Sequence, residues 1–451
     1  MSPSNRIQGI GANGACVRDM DHQRLPEHAD AIVVGGGIMG LASAYYLARI
    51  GMRTVVLEKD RVASQQSGRN WGFVRSQYRD PAEIQLAIAS LRMWPKLEAE
   101  LGRPLGWRRT GCLFAATNER EAAAFEKWMD EVRGAGVTTR MLSPREVKAM
   151  LPALARIPHG ALYTAEDGQA EPETATLAFA QAATEAGVDV FERCGAYVID
   201  VEGGRVAGVT TEWGRIRAPI VVCAAGAASH RLLAGIGLLL PQKVVRNTVS
   251  LTEPTRELSA PCFCGFGVGV RQRKDMSCII AAESTSDIDV TLDVFRYAGF
   301  FMPGLFANKR AFDLSLGGAL VGDVYGRIAW SKHERMVEPR APLIRPNRRR
   351  VRKVTTRVEE VFQAVDGIKV RKSWAGNIDV LPDAIPVIDG LTGIVGLIVA
   401  TGFSGHGFAL GPAVGKVVAG IASGRSGDID LARFQLDRFA RGTYGSPYAP
   451  L

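Results

Sequence analysis

Short apolar runs bounded by glycine alternate along this chain with longer stretches whose apolar residues recur at helical spacing. The segment ADAIVVGGGIMGLASAYYLARIGMRTVVLEKD, Ala29 to Asp60, shows both. AIVV predicts a short buried strand, the glycines a tight turn, the following stretch a helix, and TVVLE a second strand ending in Glu58. SPREVKAMLP, Ser143 to Pro152, has a helix start and a proline stop, and PETATLAFAQAATEAG predicts a helix ending at Gly187. In the basic stretch Arg345 to Arg357, RPNRRRVRKVTTR, and just beyond it, Val351, Val354, Val358 and Val361 recur at helical spacing. That pattern predicts an amphipathic helix with a solvated basic face.

No run of eighteen apolar residues occurs, so no transmembrane helix is expected. Residues 1–28 mix both charge signs without the apolar core of a secretory signal, and are expected to form an extension with little structure. The 451 residues, 47% apolar and 22% charged, bury a large core and suggest two domains, or a nucleotide-binding domain with a long insertion. A net charge of +9 without aromatic interleaving or a nucleic-acid module argues against nucleic acid as a partner. Seven cysteines form no CxxC pair, as reduced core thiols would; Cys262 and Cys264 read as neighbours on one strand face. Six histidines show no HxxxH spacing or His/Cys cluster, so no metal site is expected.

Gly35, Gly37 and Gly40 form GxGxxG between a strand and a helix. The first glycine makes the turn, the second admits a pyrophosphate, and the third lets helix pack on strand. The helix N-terminus offers N–H donors to the phosphates. Glu58, eighteen residues after Gly40, is placed to take ribose hydroxyls. At this point the cofactor is either FAD or NAD.

The next stretch, SQQSGRNWGFVRSQYRD (Ser64 to Asp80), resembles the D-amino-acid oxidase superfamily of FAD-dependent oxidoreductases, and within it the sarcosine oxidase β subunits and glycine oxidases. GWRRTGCLFAA (Gly106 to Ala116), VTTEWGRIRAPIVVCAAGAAS (Val209 to Ser229), RKSWAGNIDVLPDAIPVIDG (Arg371 to Gly390) and TGFSGHGFALGP (Thr401 to Pro412) continue the likeness in order. The resemblance implies FAD. It places Gly35, Gly37, Ile38, Met39, Gly40, Glu58 and Lys59 at the dinucleotide. Gln66, Ser67, Gly68, Arg69, Asn70, Trp71 and Gly72 would form a loop over the pyrophosphate and ribityl chain. Val198, Ala225, Gly226 and Gly376 would line the rest. Gly402, Phe403, Ser404, Gly405, His406, Gly407 and Phe408 would bring backbone N–H groups to the flavin's pyrimidine end, where charge develops on reduction.

The departures from the family matter as much. Cysteine and histidine tethers of relatives fall at Gly376 and Pro172, which implies non-covalent FAD. The usual carboxylate anchors, an arginine or a lysine, fall at Ile378 and Ala409. Arg75, Arg79, Lys243, Arg246, Arg271 and Arg273 are the spare cations that would suit a carboxylate. Arg75, Arg246 and His406 are the candidate catalytic residues. The implied reaction oxidises a CH–NH bond of an amine or amino acid, with oxygen or an electron-accepting partner as the final acceptor. The alternatives are oxidation of a hydroxy acid, with His406 as base, or an electron-relay subunit of a complex.

The expected fold class is α/β, α+β overall: a discontinuous Rossmann-like FAD-binding domain (29–110, 155–240, 366–451) with a mostly antiparallel substrate domain (111–154, 241–365). The aromatic-rich segment 290–330 would cover the pocket, contact another subunit, face a membrane or electron acceptor, or pack on its own domain as a helical pair. The chain is expected in the cytoplasm, free or peripheral to a membrane, as a homo-oligomer or as a subunit of a larger complex.

Overall fold

The structure, a computed structural model, describes residues 18–19, 24–283, 286–292, 296–301, 312–315, 317–362, 367–425 and 427–448. The first apolar run becomes the strand Ala31–Val34, buried along its whole length in a seven-stranded sheet. Across that sheet the order is Arg18–Asp19, Asp189–Glu192, Thr54–Leu57, Ala31–Val34, Ile220–Cys223, Leu397–Thr401 and Val387–Asp389. All neighbours run parallel except the last pair. Parallel strands buried on both faces need cover on both. One face carries the helices Ile38–Arg49, Pro172–Glu185 and Gly411–Ala422, whose apolar sides share one core. The other carries a three-stranded antiparallel sheet, Ala196–Glu202, Arg205–Thr211 and Gly214–Arg217, which packs Ile199, Val209 and Ile216 onto Ile32, Val55 and Val221.

The helices Ile38–Arg49 and Gly411–Ala422 meet backbone to backbone. A Cβ on Gly415 would lie 2.6 Å from the carbonyl carbon of Ala42, so any larger residue there would force the two helices apart. Within the expected unstructured extension, Arg18–Asp19 adds an edge strand beside Asp189–Glu192; the rest of residues 1–23 lies outside the described residues.

The second large sheet has ten strands. Its main path runs Phe312–Ser315, Ser286–Asp289, Lys243–Thr252, Cys278–Ala282, Val268–Gln272, Cys262–Gly265, Cys112–Ala116, Gly160–Thr164 and Arg140–Leu142, and Val370–Val380 pairs along Lys243–Thr252. It is antiparallel except where Cys262–Gly265 meets Cys112–Ala116 and where Ser286–Asp289 meets Phe312–Ser315. Gly160–Thr164 and Val370–Val380 hydrogen-bond into this sheet. Both fall within the segments expected for the FAD-binding domain, 155–240 and 366–451. The six cysteines among the described residues are buried free thiols, and Cys262 and Cys264 do share a strand.

The basic stretch forms the helix Arg348–Val361, whose start is capped by the Asn347 side chain accepting from the N–H groups of Arg349 and Arg350. Val354, Val358 and Val361 bury against the ten-stranded sheet, and Val351 is half-buried. One cation leaves the solvated face: Arg350 is buried on Asp287 at 2.7 Å. The helix expected within Ser143–Pro152 is Pro144–Met150, with a capping box from Ser143 and Glu146, and the one expected to end at Gly187 is Pro172–Glu185.

The chain's end is pinned by a buried ion pair. Arg438 and Asp383 are almost fully buried, and two guanidinium nitrogens meet the carboxylate at 2.8 and 3.2 Å. Removing one partner of such a pair strands the other charge. Asp383→Ala should therefore lower unfolding stability by about 3–5 kcal/mol, whereas Asp383→Leu with Arg438→Met should cost far less. Denaturant unfolding checks this; a loss under about 1 kcal/mol for Asp383→Ala would refute it.

Candidate active site

The turn after Ala31–Val34 is compact because helix and strand nearly touch: a Cβ on Gly40 would lie 1.9 Å from the carbonyl oxygen of Gly35. Glu58 then braces the turn. Its two carboxylate oxygens accept from the N–H groups of Gly36 at 2.7 Å and Asp60 at 2.8 Å. Burial pushes this carboxyl's pKa up, against the pull of those two donors. Ser67 places its hydroxyl on the N–H of Ile38 at 2.9 Å, tying the second cofactor loop to the first helix's N-terminus.

That second loop is held by its own side chains. Asn70 donates to the carbonyls of Gln66 and Ser67 and accepts from the N–H of Gly72. Arg69 donates to Ser64 and, across the site, to the carbonyl of Ala375 at 3.0 Å, while Trp374 donates to the carbonyl of Arg69. The loop is thus fastened to the strand Val370–Val380 of the other sheet.

The C-terminal glycine loop follows Leu397–Thr401 and hangs on Asp379. One Asp379 carboxylate oxygen accepts from the N–H of Gly402 and from Gln242, both at 3.0 Å, and its carbonyl accepts from the N–H of Ser404. Gln66 also donates to it. Burial raises this carboxyl from 3.8 to about 6 despite those donors. Farther along, the carbonyl of Ala409 accepts from Ser90 at 2.6 Å and Trp94 at 2.9 Å.

These three loops line one connected cavity of about 2190 Å³. Pockets for a single small ligand usually span about 300–1,000 Å³. The cavity therefore has room for a dinucleotide and a substrate together. Backbone at Gly35–Gly37, a carboxylate at Glu58 and a second N–H-rich loop match what FAD requires at its pyrophosphate, ribose and ring.

The cavity reaches most of the expected cofactor residues, from Gly35, Gly37, Ile38, Met39, Glu58 and Lys59, through Gln66, Ser67, Arg69, Asn70, Trp71 and Gly72, to Ala225, Gly226, Gly376 and Phe403–Phe408. Gly40, Gly68, Val198 and Gly402 stand behind the wall. Gly68 packs on Ala63 and Gly402 on Leu381. Ala196 lines the wall where Val198 does not, and the strand register slips between these two residues.

The cations sort sharply. Arg246 lines the cavity but is committed to Asp289 at 2.8 and 3.0 Å. Arg271 and Arg273 both hold Glu171. Arg79 is buried against Glu83 and donates to the carbonyls of Arg75 and His406. His406 has both ring nitrogens engaged, Nε2 at 3.1 Å from Glu83 and Nδ1 at 3.3 Å from the Ser404 carbonyl. Burial would raise the Glu83 carboxyl, but His406 and Arg79 outweigh it and hold it low. Arg75 stays in the wall, bonded to the carbonyls of Gln77 and Tyr78 and set 5.2 Å over the Phe114 ring. Among the described residues it has no carboxylate partner. Lys243 also lines the cavity, 5.6 Å from the Phe301 ring centre, and burial lowers its pKa to about 8.

Asp379 and Gln242 were not expected from the sequence. The available signal was an acid between apolar residues in NIDVL, inside a segment already matched to the cofactor site.

A doubly covered parallel sheet with a dinucleotide turn, facing an antiparallel sheet across a shared cavity, defines a dinucleotide-dependent oxidoreductase. The model of the family described as FAD dependent oxidoreductase matches residues 30–421, and the chain belongs to that family. It is 29% identical over 425 residues to the sarcosine oxidase subunit beta of Rhizobium meliloti (strain 1021), covering 92% of this chain and 89% of that one. It is 30% identical to human mitochondrial sarcosine dehydrogenase over 259 residues, 56% of this chain but only 28% of that protein's length. Among solved structures, L-amino acid deaminase from Proteus myxofaciens in complex with anthranilate superposes with a TM-score of 0.86 at 25% identity, covering 94% of this chain and 96% of that one. The protein is thus an FAD-dependent oxidoreductase.

Two predictions follow from the site's carboxylates. Hydrogen bonds to a charged group are worth about 1.5–3 kcal/mol, so Glu58→Gln should weaken FAD binding roughly tenfold or more in a fluorescence-quenching titration. An unchanged affinity would remove Glu58 from the cofactor site. Asp379 binds its proton more tightly folded than unfolded, so its contribution to stability is full below 3.8 and lost as pH rises through about 6. In FAD-free protein, Asp379→Asn should gain Tm relative to wild type between about pH 4 and pH 7. A pH-independent difference between the two would contradict the raised pKa.

Proposed function

We propose that this chain oxidises the carbon–nitrogen bond of an amino acid, primary or N-alkylated, whose carboxylate is held by cations other than the family's usual anchors. The observation that carries the reading is the charge of the cavity wall. Among the described residues it contains fifteen Lys and Arg against seven Asp and Glu. An excess of eight positive charges in a concave, partly desolvated wall draws anions, beyond what the phosphates of FAD need. The names of the relatives support the same class: sarcosine, a plain N-methyl amino acid, and L-amino acids.

FAD, when bound, supplies the acceptor for a hydride from the carbon next to nitrogen, leaving an imine for water to hydrolyse. The chain's own residues position and desolvate. Arg75, without a carboxylate of its own, and Lys243, on the strand opposite Ile378 and Val380, are the cations facing the substrate. A bound carboxylate would stabilise the ammonium form of Lys243 that burial disfavours. Trp71, Phe114 and Phe403 supply apolar wall that excludes water and favours the neutral amine needed for hydride loss. His406 fixes the glycine loop to Glu83 rather than serving as a base, so the geometry does not favour oxidation of a hydroxy acid. With Gly376 and Pro172 at the tether positions, FAD is held without a covalent bond and leaves the protein on denaturation.

Anaerobic bleaching of the flavin band tests this. N-alkyl and α-amino acids should bleach it, their decarboxylated counterparts should be at least about tenfold slower, and salt should slow the reaction at low substrate concentration. Equal bleaching by the decarboxylated amines, or none by any amino acid, would overturn the reading. Arg75→Met should raise KM for the acid more than it lowers kcat.

A further inference from the structure

The helix Gly318–Ala329 is exposed almost all round; only Gly326 is buried. Yet its sequence, GALVGDVYGRIA, is mostly apolar, and its two charges neutralise each other, Arg327 lying 3.3 Å from Asp323. Val321, Val324, Tyr325 and Ile328 fall at i, i+3, i+4 and i+7, on one side of the helix. Ile328 is 82% exposed, Val321 70% and Tyr325 63%. A helix apolar over most of its surface belongs against something.

Beside it lies charge without partners. Between Glu338 and Glu359 the chain has no acid. Of the cations in that interval, Arg340, Arg350 and Arg357 pair with Glu212, Asp287 and Glu360. Arg345, Arg348, Arg349, Arg352 and Lys353 are exposed and have no carboxylate partner among the described residues. The two features share an anchorage. Asn347 and Arg350 hold Asp287, and Asp323 holds the N–H of Leu292, five residues farther on. Five residues of extended chain span about 17 Å at most, so the two anchor points lie within that distance of each other.

We propose that the helix Gly318–Ala329, flanked by Arg345–Lys353, docks this enzyme on an anionic membrane surface. Apolar side chains that enter the headgroup boundary, with unpaired cations beside them, complement a surface that is apolar inside and negative outside. The same helix contributes Gly322 and Tyr325 to the cavity wall, so docking would set the cavity mouth at the lipid. No helix of the described residues is long and apolar enough to cross a membrane, so the contact is peripheral.

The test is co-sedimentation of purified FAD-loaded enzyme with vesicles of phosphatidylcholine alone or mixed with phosphatidylglycerol. Wild type should sediment with the mixed vesicles and not with the neutral ones, less so at high salt. Val321→Glu with Ile328→Glu, and Arg348→Glu with Arg349→Glu and Arg352→Glu, should each cut the bound fraction's partition coefficient by more than about tenfold. None of these residues lines the cavity, so FAD content, Tm and amino-acid bleaching should stay unchanged, which separates this proposal from the functional one. Three results would overturn it: no binding to the anionic vesicles, binding indifferent to both variants, or a wild-type dimer that Val321→Glu with Ile328→Glu splits while vesicles bind neither form. The last would mean that a second copy covers the helix.

Discussion

The structure depends on one contact, the backbone approach of the helices Ile38–Arg49 and Gly411–Ala422. The first begins at the dinucleotide turn and the second just after the C-terminal glycine loop, so their spacing sets the distance between the two loops that must hold one ligand. Gly415 against Ala42 fixes that spacing at backbone contact, with no side chain between. Close packing makes such a contact stiff as well as near. What the loops then present is mostly backbone, which loses little entropy on meeting a cofactor.

Around this frame, charge is either spent or held ready. Arg79 and Glu83 spend theirs on each other at the start of the helix Ile84–Leu101, where Glu83 also meets His406 of the glycine loop. Arg271, Arg273 and Glu171 spend theirs joining the second sheet to the Pro172–Glu185 helix. Buried pairs of this kind stabilise little against an apolar alternative, but breaking one is costly, so they specify geometry more than they add stability. Arg75 differs in having no ion-paired carboxylate among the described residues, and its guanidinium lines the cavity.

The sequence made the cofactor loops legible because their chemistry is backbone approach, and glycine spacing writes backbone approach directly into the string. It made the valine face of Arg348–Val361 legible for a similar reason, since burial there follows a single helical period. Partnership was not legible. Arg75, Arg79, Arg246, Arg271 and Arg273 look alike in one dimension, and only the fold shows four of them engaged with acids. Asp379 was hidden because its partners Gln66, Gln242 and Gly402 come from three distant segments. Val198, named from the resemblance, stands behind the wall beside a register slip, which no pattern in the string marks. The pairing of Gly160–Thr164 and Val370–Val380 with the ten-stranded sheet was not legible, because strand pairing is a long-range choice.

The position of Leu397–Thr401 has a consequence for how the molecule comes into being. It pairs in parallel with Ile220–Cys223, inside the seven-stranded sheet rather than at its rim. That sheet can therefore close only after residues 397–401 are in place, and until then Ile220–Cys223 presents a bare apolar edge. Such an edge is open to wrong pairing. Binding of FAD draws the population toward the closed form by mass action. Copies without FAD would lack that pull toward the closed form.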